Sequence, residues 1–321
     1  MLYVLSDSFD PFYNLATEEF LLKHKSDNVI MLWRSDSAII VGKHQNALAE
    51  VNYEYILEKN ITVARRLSGG GTVVHDLQNL NFTFITNGED GKLIDFKRYL
   101  KPIIEYLTTL GIEAKIGKTN DLRIGELKIS GNAEHVFRKR VLHHGTLLFN
   151  SDLNRLRKAI DTKPGKYTDK AVQSNRASVT NIASHLKTPL SIEEFTKTLS
   201  RFLQDKYPGD TYHLSPNEHQ VIQELIDEKY SLDKWIWGYS PKYTFKNQFD
   251  FQNNHWNIEI VVSKGLVAKA VINRNNQPLH YLEIALRGRF HLYNSFAPIL
   301  SSELNLPLGE DLNIFTLHYF K

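Results

Sequence analysis

The sequence predicts an α/β fold, with a mixed sheet flanked by helices and a small C-terminal α/β domain. Two observations predict the first part: apolar residues recur at helical spacing from Phe12 to Phe20, and short β-branched runs then alternate with further helical stretches. A third observation is the change from helical patterns to strands after Ser240-Pro241. With 321 residues, the chain is long enough for two domains. We expect them at 1–240 and 241–321.

In the first half of the chain, strands are expected at Val29–Trp33 and Ala38–Val41, and a helix at Ala47–Glu58. A further helix over Phe96–Leu107 has an apolar stripe with basic residues outside it, which is typical of a helix that covers a sheet. Between Leu122 and Phe149 the alternation predicts a hairpin that turns at Gly125-Glu126.

In the second half, Thr162–Ser178 is polar and exceeds the usual length of an idle connection, so we expect a mobile loop there. Helices follow over Ile192–Tyr207 and Ser215–Tyr230, capped at Ser191 and Ser215. A hairpin turns at Lys264-Gly265, and a last helix spans Phe290–Leu304.

The composition excludes several classes of protein. The chain has no cysteine, so disulfides, thiolate metal sites and cysteine nucleophiles are ruled out. A formal charge of +3 is too mild to indicate a nucleic-acid binder. No targeting signal and no apolar stretch long enough to span a bilayer is evident, so we expect a cytoplasmic protein that does not bind nucleic acid or membranes.

The most informative segment is Arg65–Asp76, which reads RRLSGGGTVVHD. Three consecutive glycines cost conformational entropy, and they allow backbone N–H groups to approach a ligand closely. A loose surface turn is the simpler explanation, but the flanking runs are extended and β-branched. We therefore expect a ligand-binding loop.

Three further blocks follow in the order Asn120-Asp121-Leu122, Lys128–Ala133 (KISGNA) and His143–Leu148 (HHGTLL). Together with the glycine segment, they resemble the blocks of the lipoate-protein ligase A family in order and spacing. The resemblance covers about the first 180 residues. It implies the catalytic fold shared by biotin protein ligases and class II aminoacyl-tRNA synthetases, with a small accessory domain beginning near Tyr243.

The resemblance also implies a reaction in two steps. Lipoate and ATP form lipoyl-AMP, and a lysine of an acceptor then takes the lipoyl group. Lys128 is the expected catalytic residue, because a fixed ammonium can stabilise charge at the α-phosphate and the acyl carbonyl. A solvated strand lysine is the alternative.

The expected lipoate-binding residues surround the glycine loop and the histidine block; they are Arg66, Ser68, Gly69, Gly70, Gly71, His75, His144 and Gly145. A structural role remains open for Arg65 and His75. His143 and His144 point to opposite faces of a strand and so cannot jointly bind a metal, and we expect His143 to be outward or structural.

The expected nucleotide-binding residues are Val73, Asn120, Asp121, Lys128, Ser130, Arg176 and Ser178. Asp121 is also the expected Mg²⁺ ligand, because Mg²⁺ prefers hard oxygen donors. A plain turn role for Asp121 is the alternative. The cofactors implied are therefore ATP and Mg²⁺, with lipoate as substrate.

Three other functions stay open: a lipoyltransferase that uses preformed lipoyl-AMP, a biotin ligase of the same fold, and a non-catalytic lipoate-binding protein. The resemblance implies apo lipoyl domains of 2-oxoacid dehydrogenase E2 subunits or a glycine-cleavage H protein as partners, and we expect a monomer. The sequence does not distinguish these acceptors, nor lipoate from octanoate.

Overall fold

The computed structural model describes residues 1–88, 93–162, 165–175 and 177–321. The chain forms two compact units. The first unit comprises Met1–Gly42, Thr62–Leu156 and Ser174–Ser231, and the second comprises Lys43–Ile61, Arg157–Gln173 and Leu232–Lys321. The division at residue 240 expected from the sequence stays a prediction.

The strands in chain order are β1 (Leu2–Leu5), β2 (Val29–Trp33), β3 (Ala38–Val41), β4 (Thr62–Arg65), β5 (Val73–His75), β6 (Asn79–Asn87), β7 (Ala114–Ile116), β8 (Leu122–Ile124), β9 (Leu127–Ser130), β10 (Asn132–Phe137), β11 (Arg140–Leu148), β12 (Tyr167–Asp169), β13 (Asp210–Thr211), β14 (Tyr243–Phe251), β15 (Asn254–Ser263), β16 (Leu266–Arg274) and β17 (Gln277–Pro278).

The α-helices in chain order are α1 (Pro11–His24), α2 (Ala47–Glu50), α3 (Tyr53–Glu58), α4 (Phe96–Thr109), α5 (Leu153–Ala159), α6 (Ile192–Lys206), α7 (Pro216–Leu225), α8 (Asp233–Ile236), α9 (His280–Leu286), α10 (Tyr293–Leu304) and α11 (Glu310–Leu317). A 3₁₀ turn covers Ile182–His185, and a π-helical turn at Ile226–Tyr230 extends α7.

The first unit is built on a six-stranded sheet with the order β10-β11-β6-β2-β1-β13. Strand β1 is parallel to β2 and β13, whereas β6 is antiparallel to both β2 and β11. The sheet is therefore mixed, as expected from the sequence. Two smaller sheets belong to the same unit, with the orders β4-β3-β5 and β7-β8-β9.

The core of the first unit lies between this sheet and the helices α4 and α6. Leu100 and Ile103 of α4, and Phe195 and Leu199 of α6, are buried in one apolar cluster with Phe82 of β6. Helix α4 thus covers the sheet, as its stripe predicts. The predicted caps are also present, because Ser191 and Ser215 each form a capping box with the glutamate three residues later.

The second unit is built on an antiparallel sheet with the order β12-β14-β15-β16-β17. The predicted hairpin joins β15 to β16 through Lys264 and Gly265, both with positive φ. Helices α9, α10 and α11 contribute Leu282, Leu300 and Phe315 to its buried residues.

Four details differ from the sequence expectations. The helix expected over Ala47–Glu58 is two helices, because Asn52 caps α3 with its side chain and interrupts the run. The segment expected to be a mobile loop, Thr162–Ser178, contains strand β12, which pairs with β14. Helix α10 begins at Tyr293 rather than Phe290. Helices α9 and α11 are not predicted from the sequence, since their apolar patterns are short.

Candidate active site

Lys128 lies in the middle of the predicted hairpin strand, and its backbone is held on the side away from β8. Its N–H donates to the carbonyl of Ser178 (2.9 Å), and its carbonyl accepts from the N–H of Thr180 (3.0 Å). These bonds form a parallel bridge to Val179. A main chain held on both sides fixes where the side chain begins.

The ammonium of Lys128 has no hydrogen-bond or ion-pair partner among the residues that the structure describes. Burial is the main cause that lowers the pKa of Lys128 below its ordinary value, Asp121 opposes the shift, and Arg123 and Arg66 add to it. The side chain is partly buried. Lys128 is therefore a partly buried positive charge with no bonded partner among the described residues, which suits it to stabilise an anion.

The glycine loop is held in shape by Arg66. The guanidinium donates to the carbonyls of Gly69 and Gly71 (2.6 Å each) and to Ile40 (2.9 Å), and its Nε donates to Oγ of Ser68 (3.0 Å). Four of its five N–H groups are thus engaged within the protein. Arg66 therefore shapes the loop from inside, and it does so through carbonyl groups of the glycines rather than their N–H groups.

The loop needs glycine at its centre. Gly70 has φ of +82°, a left-handed conformation that side chains rarely adopt. Thr72, just beyond the loop, donates its N–H to Oγ of Ser174 (2.8 Å). A residue of the 174–180 segment therefore contacts the loop, and Ser178 and Thr180 of the same segment bond to the backbone of Lys128 on β9.

The charge of Arg66 is compensated through a chain of hydrogen bonds. Burial lowers the pKa of Arg66 to about 10, and the carboxylate of Glu18 opposes the shift. Ser68 Oγ lies 2.6 Å from Nε2 of His144, and Nδ1 of His144 lies 3.0 Å from both oxygens of Glu18. All four side chains are buried. Buried charges are tolerated when hydrogen bonds join them in this way.

Glu18 was not among the residues expected from the sequence. It lies on α1, and Oε1 also accepts from Oγ1 of Thr83 (2.5 Å), which in turn accepts from the Trp33 indole (3.0 Å). A signal did exist in the sequence. Glu18 and Glu19 lie between the apolar runs Leu15-Ala16 and Phe20-Leu21-Leu22, and a carboxylate enclosed by apolar residues in a buried helix needs a partner.

His75 is buried at the end of β5, beside the edge of the Trp33 ring (5.5 Å between ring centroids). Neither ring nitrogen has a hydrogen-bond partner among the described residues. Burial, together with Arg66 and His144, lowers the pKa of His75 to about 3, so the ring is neutral. Two unpaired buried nitrogens are costly unless a ligand or water reaches them.

His143 and Gly145 of the histidine block each have a packing role in this fold. His143 points into the core rather than outward, where Nδ1 lies 2.9 Å from Oε1 of Glu134 and the ring stacks on Tyr99. Burial lowers the pKa of His143 well below its ordinary value. At Gly145, a Cβ would collide with Oδ1 of Asn132 and the Phe82 ring. Gly145 therefore permits close packing of the strands.

The residues expected on the nucleotide side gather around β8 and β9. Asp121 is buried, and its carboxylate accepts from Nε of Arg123 (2.7 Å) and Oγ1 of Thr119 (3.1 Å). The Asn120 carbonyl accepts from the side chain of Asn132 (2.9 Å), and Ser130 donates to the same side chain (3.3 Å).

Three further expected residues have different positions. Val73 lies on β5, with its side chain close to Gly131. Ser178 contributes its carbonyl to the Lys128 backbone. Arg176 lies outside the described residues. Within the parts of the chain that are described, no three acidic or histidine side chains converge as a preformed metal site.

Both the sequence and the structure are similar to those of known proteins. The model of the lipoyl protein ligase A/B catalytic domain matches residues 10–204. Lipoate-protein ligase 1 of Staphylococcus aureus is 38% identical, covering 82% of this chain and 81% of the relative. Lipoate-protein ligase LplJ of Bacillus subtilis is 35% identical, covering 80% of each chain.

Three solved structures are also similar. A putative lipoate protein ligase of T. acidophilum with bound lipoic acid has a TM-score of 0.64 and 25% identity, covering 73% of this chain and 98% of its own. A lipoate-protein ligase A bound with ATP has a TM-score of 0.63 and 26% identity, with coverages of 74% and 98%. A bipartite ligase described with its lipoyl domain from Thermoplasma acidophilum has a TM-score of 0.62 and 28% identity, with coverages of 74% and 96%.

Proposed function

Because this chain belongs to the lipoate-protein ligase family, we propose that Lys128 and the glycine loop carry out an ATP-dependent ligation of lipoate to a protein lysine. The family and the α/β ligase fold expected from the sequence are confirmed. The ligase function expected from the sequence is confirmed too, since relatives bearing that name match most of the chain.

One observation carries the assignment to these residues: the ammonium of Lys128 has no protein partner in the described chain, yet its backbone is fixed on both sides. A lysine kept for structure would form an ion pair or extend into solvent. Lys128 instead lies beside the space that the missing side chain of Gly131 leaves, with Nζ 3.3 Å from where a Cβ would be.

In the first step, a carboxylate oxygen of lipoate attacks the α-phosphorus of ATP, and the bond to the bridging oxygen breaks to release pyrophosphate. Negative charge accumulates on the α-phosphate as the new bond forms. The Lys128 ammonium can stabilise that charge without reorganisation, and such fixed electrostatic stabilisation is worth several kcal/mol. The resulting mixed anhydride keeps its carbonyl near the same ammonium.

In the second step, the neutral amine of an acceptor lysine attacks the acyl carbon, AMP leaves, and the nitrogen gives up a proton. The Lys128 ammonium can stabilise both the developing oxyanion and the departing phosphate. We assign no general base. His75 is buried and neutral, and positioning beside an activated acyl group can supply much of the rate.

For lipoate binding, the loop and the buried hydrogen-bond chain support the expected set: Arg66, Ser68, Gly69, Gly70, Gly71, His75, His144 and Gly145. In this proposal Arg66 acts by holding the loop, and the glycine N–H groups face the carboxylate end. His75 supplies two ring nitrogens that bond to none of the described residues. Gly145 contributes indirectly, by letting β11 pack against Asn132.

For ATP, we propose Asn120, Asp121, Lys128, Ser130, Val73 and Ser178 as the binding residues, with Arg176 as a further expectation from the sequence. The structure that is bound with ATP supports a nucleotide site in this fold. Asp121 can also serve as the Mg²⁺ ligand that we propose. Its oxygens each accept one hydrogen bond and keep a free lone pair, and Mg²⁺ usually takes its other ligands from water and phosphate.

We propose that the acceptor is an apo lipoyl domain, with a 2-oxoacid dehydrogenase E2 subunit or a glycine-cleavage H protein as its source. The similar bipartite ligase described with its lipoyl domain supports this class of partner. A monomeric and cytoplasmic enzyme remains our expectation. In the described part of the chain, no helix combines the length and apolar character that crossing a bilayer requires.

The testing experiment is mass spectrometry of an apo lipoyl domain incubated with the protein and Mg²⁺, supplied either with lipoate and ATP or with synthetic lipoyl-AMP. A complete ligase modifies the acceptor in both mixtures. Modification only by lipoyl-AMP identifies a lipoyltransferase. If several acceptors stay unmodified in both mixtures, the chain is a lipoate-binding protein on a ligase fold and the proposal is wrong.

A further inference from the structure

Three cations lie side by side across the small sheet that carries Lys128. The strand register pairs Lys115 of β7 with Arg123 of β8, and Arg123 with Lys128 of β9. Residues directly opposite each other on neighbouring strands project to the same face, about 5 Å apart at the backbone. We call Lys115, Arg123 and Lys128 the cation row.

A row of like charges is unfavourable in a sheet unless an anion compensates it. Asp121 compensates one charge, through its bond to Nε of Arg123 (2.7 Å). Lys115 is exposed and has no partner among the described residues, and the Lys128 ammonium has none either. Two positive charges of the row are therefore open to an external anion.

Contacts within the fold hold the side chain of Arg123 in place. Its Nη1 donates to the carbonyl of Glu126 (2.9 Å), and its Nε is bound to Asp121, so the guanidinium is fixed at the turn. At Gly117, a Cβ would lie 2.9 Å from Nε of Arg123 and would collide with Asp121. The fold therefore leaves room for this ion pair and leaves Nη2 of Arg123 without a bond in the described chain.

We propose that Lys115 and Arg123 bind the β- and γ-phosphates of ATP and hold the pyrophosphate as it leaves. The inference rests on the proposed function, which assigns the α-phosphate to Lys128 at the inner end of the row. An extended triphosphate can follow a row that spans three strands, roughly 10 Å. Arg123 supplies planar donors suited to phosphate, and Lys115 supplies a compact charge at the exposed end.

A competing explanation is that Lys115 only protects the edge of the sheet. Strand β7 is an edge strand, and lysines on such strands discourage pairing with other chains. Under that explanation, Lys115 has no effect on phosphate binding.

The test measures binding of inorganic pyrophosphate to the full-length protein by isothermal titration calorimetry, with and without Mg²⁺. We expect Arg123→Gln to weaken binding about tenfold, as for loss of a charged hydrogen bond. Lys115→Gln should weaken it about threefold, as for an exposed charge, with the effect shrinking at high salt. Lys197→Gln is the matched control, since Lys197 is exposed on α6.

Lys115→Gln keeps the test decisive if Arg123→Gln disturbs folding, because Lys115 is exposed and has no partner in the part of the chain that the structure describes. Unchanged pyrophosphate affinity in Lys115→Gln and in a folded Arg123→Gln overturns the proposal. Absence of measurable pyrophosphate binding by the wild-type protein overturns it too.

The two half-reactions separate this inference from the proposed function. In lipoate-dependent exchange of pyrophosphate into ATP, both variants should raise the KM for pyrophosphate. Transfer from synthetic lipoyl-AMP should fall far less, because that step contains no pyrophosphate. If the wild-type protein performs neither half-reaction but binds pyrophosphate through Lys115 and Arg123, the proposed function fails and the phosphate site stands.

Discussion

Oγ of Ser68 lies 2.6 Å from Nε2 of His144, and this contact joins the glycine loop to the core of the first unit. Oγ of Ser68 accepts from Nε of Arg66, and Nδ1 of His144 lies 3.0 Å from both carboxylate oxygens of Glu18. A chain of hydrogen bonds thus joins a cation to a carboxylate. The shape of the loop therefore depends in part on Glu18, a buried side chain of α1 outside the loop.

Replacing Glu18 by glutamine should weaken the hydrogen-bond chain at the end that lies on α1. The carboxylate of Glu18 accepts from both His144 and Thr83. The side chain of glutamine would place its NH₂ group opposite one of these two donors. We expect the free energy of unfolding to fall by about 3 kcal/mol, in the range for breaking a buried charged contact. Denaturant unfolding measures it, with the exposed Glu113→Gln as control. Equal stability of both variants would contradict a role for Glu18 in the fold.

Lys128→Ala should lose adenylation while the fold persists. Removing the ammonium leaves the charge on the α-phosphate unstabilised, and a loss of about 100-fold or more in lipoyl-AMP formation is expected from comparable deletions. Lys197→Ala on the exposed face of α6 is the control for loss of a lysine. Near-normal lipoyl-AMP formation by Lys128→Ala would show that another residue carries the chemistry.

The rate of adenylation should begin to fall at a lower alkaline pH than it would if Lys128 had the pKa of an ordinary lysine. The pKa of Lys128 is lowered from 10.5, so the ammonium loses its proton as pH rises through a value below 10.5. Lys128→Arg, which stays charged, should move this alkaline limb upward even if its rate is lower. The measurement is kcat/KM for ATP against pH. A limb that does not move in Lys128→Arg assigns the titration to another group.

Two glycine substitutions should separate folding from ligand binding. Gly145→Ala introduces a Cβ against Asn132 and Phe82, and we expect a loss of roughly 1–3 kcal/mol in stability. The new Cβ of Gly69→Ala meets no atom of the described residues within 4 Å and needs no positive φ, so stability should be kept. If the loop approaches lipoate, Gly69→Ala still weakens lipoate binding. Unchanged lipoate affinity in Gly69→Ala would remove Gly69 from the proposed site.

The stability of the protein should decrease as the pH falls below 6.5, in part because of His75. In the unfolded chain His75 takes up a proton near pH 6.5, whereas the folded protein keeps it neutral down to about pH 3. Folding therefore releases this proton between those two pH values. There the free energy of unfolding decreases by about 1.4 kcal/mol for each unit by which the pH falls. His75→Gln should reduce the slope of unfolding free energy against pH, and the exposed His213→Gln should not.

Much of the first unit could be predicted because local patterns and tertiary structure agree there. The turn at Gly125-Glu126 and the stripe of α4 each follow from one periodicity, and the fold places them accordingly. The interruption at Asn52 could not be read in the same way, since a capping side chain competes with a continuous apolar pattern. Strand β12 depends on pairing with β14, which is distant in sequence.

The residues of the site could also be predicted only in part. The glycine loop and Lys128 were recognisable because their residue types are unusual for packing alone. The partners that position them were harder to find, because Glu18 precedes His144 by more than one hundred residues and the contact depends on the fold. Arg66 was expected to contact ligand, yet most of its donors are used within the loop. The roles of the individual site residues stay predictions.

The parallel bridge between Lys128 and Val179 has a consequence for how the site tolerates change. The short stretch that pairs with the Lys128 backbone also includes Ser174, which bonds to Thr72 beside the glycine loop. A shift of this stretch by one residue would move the lysine and the loop together. Insertions or deletions between Ser174 and Thr180 should therefore be far more damaging than their distance from the reacting atoms suggests.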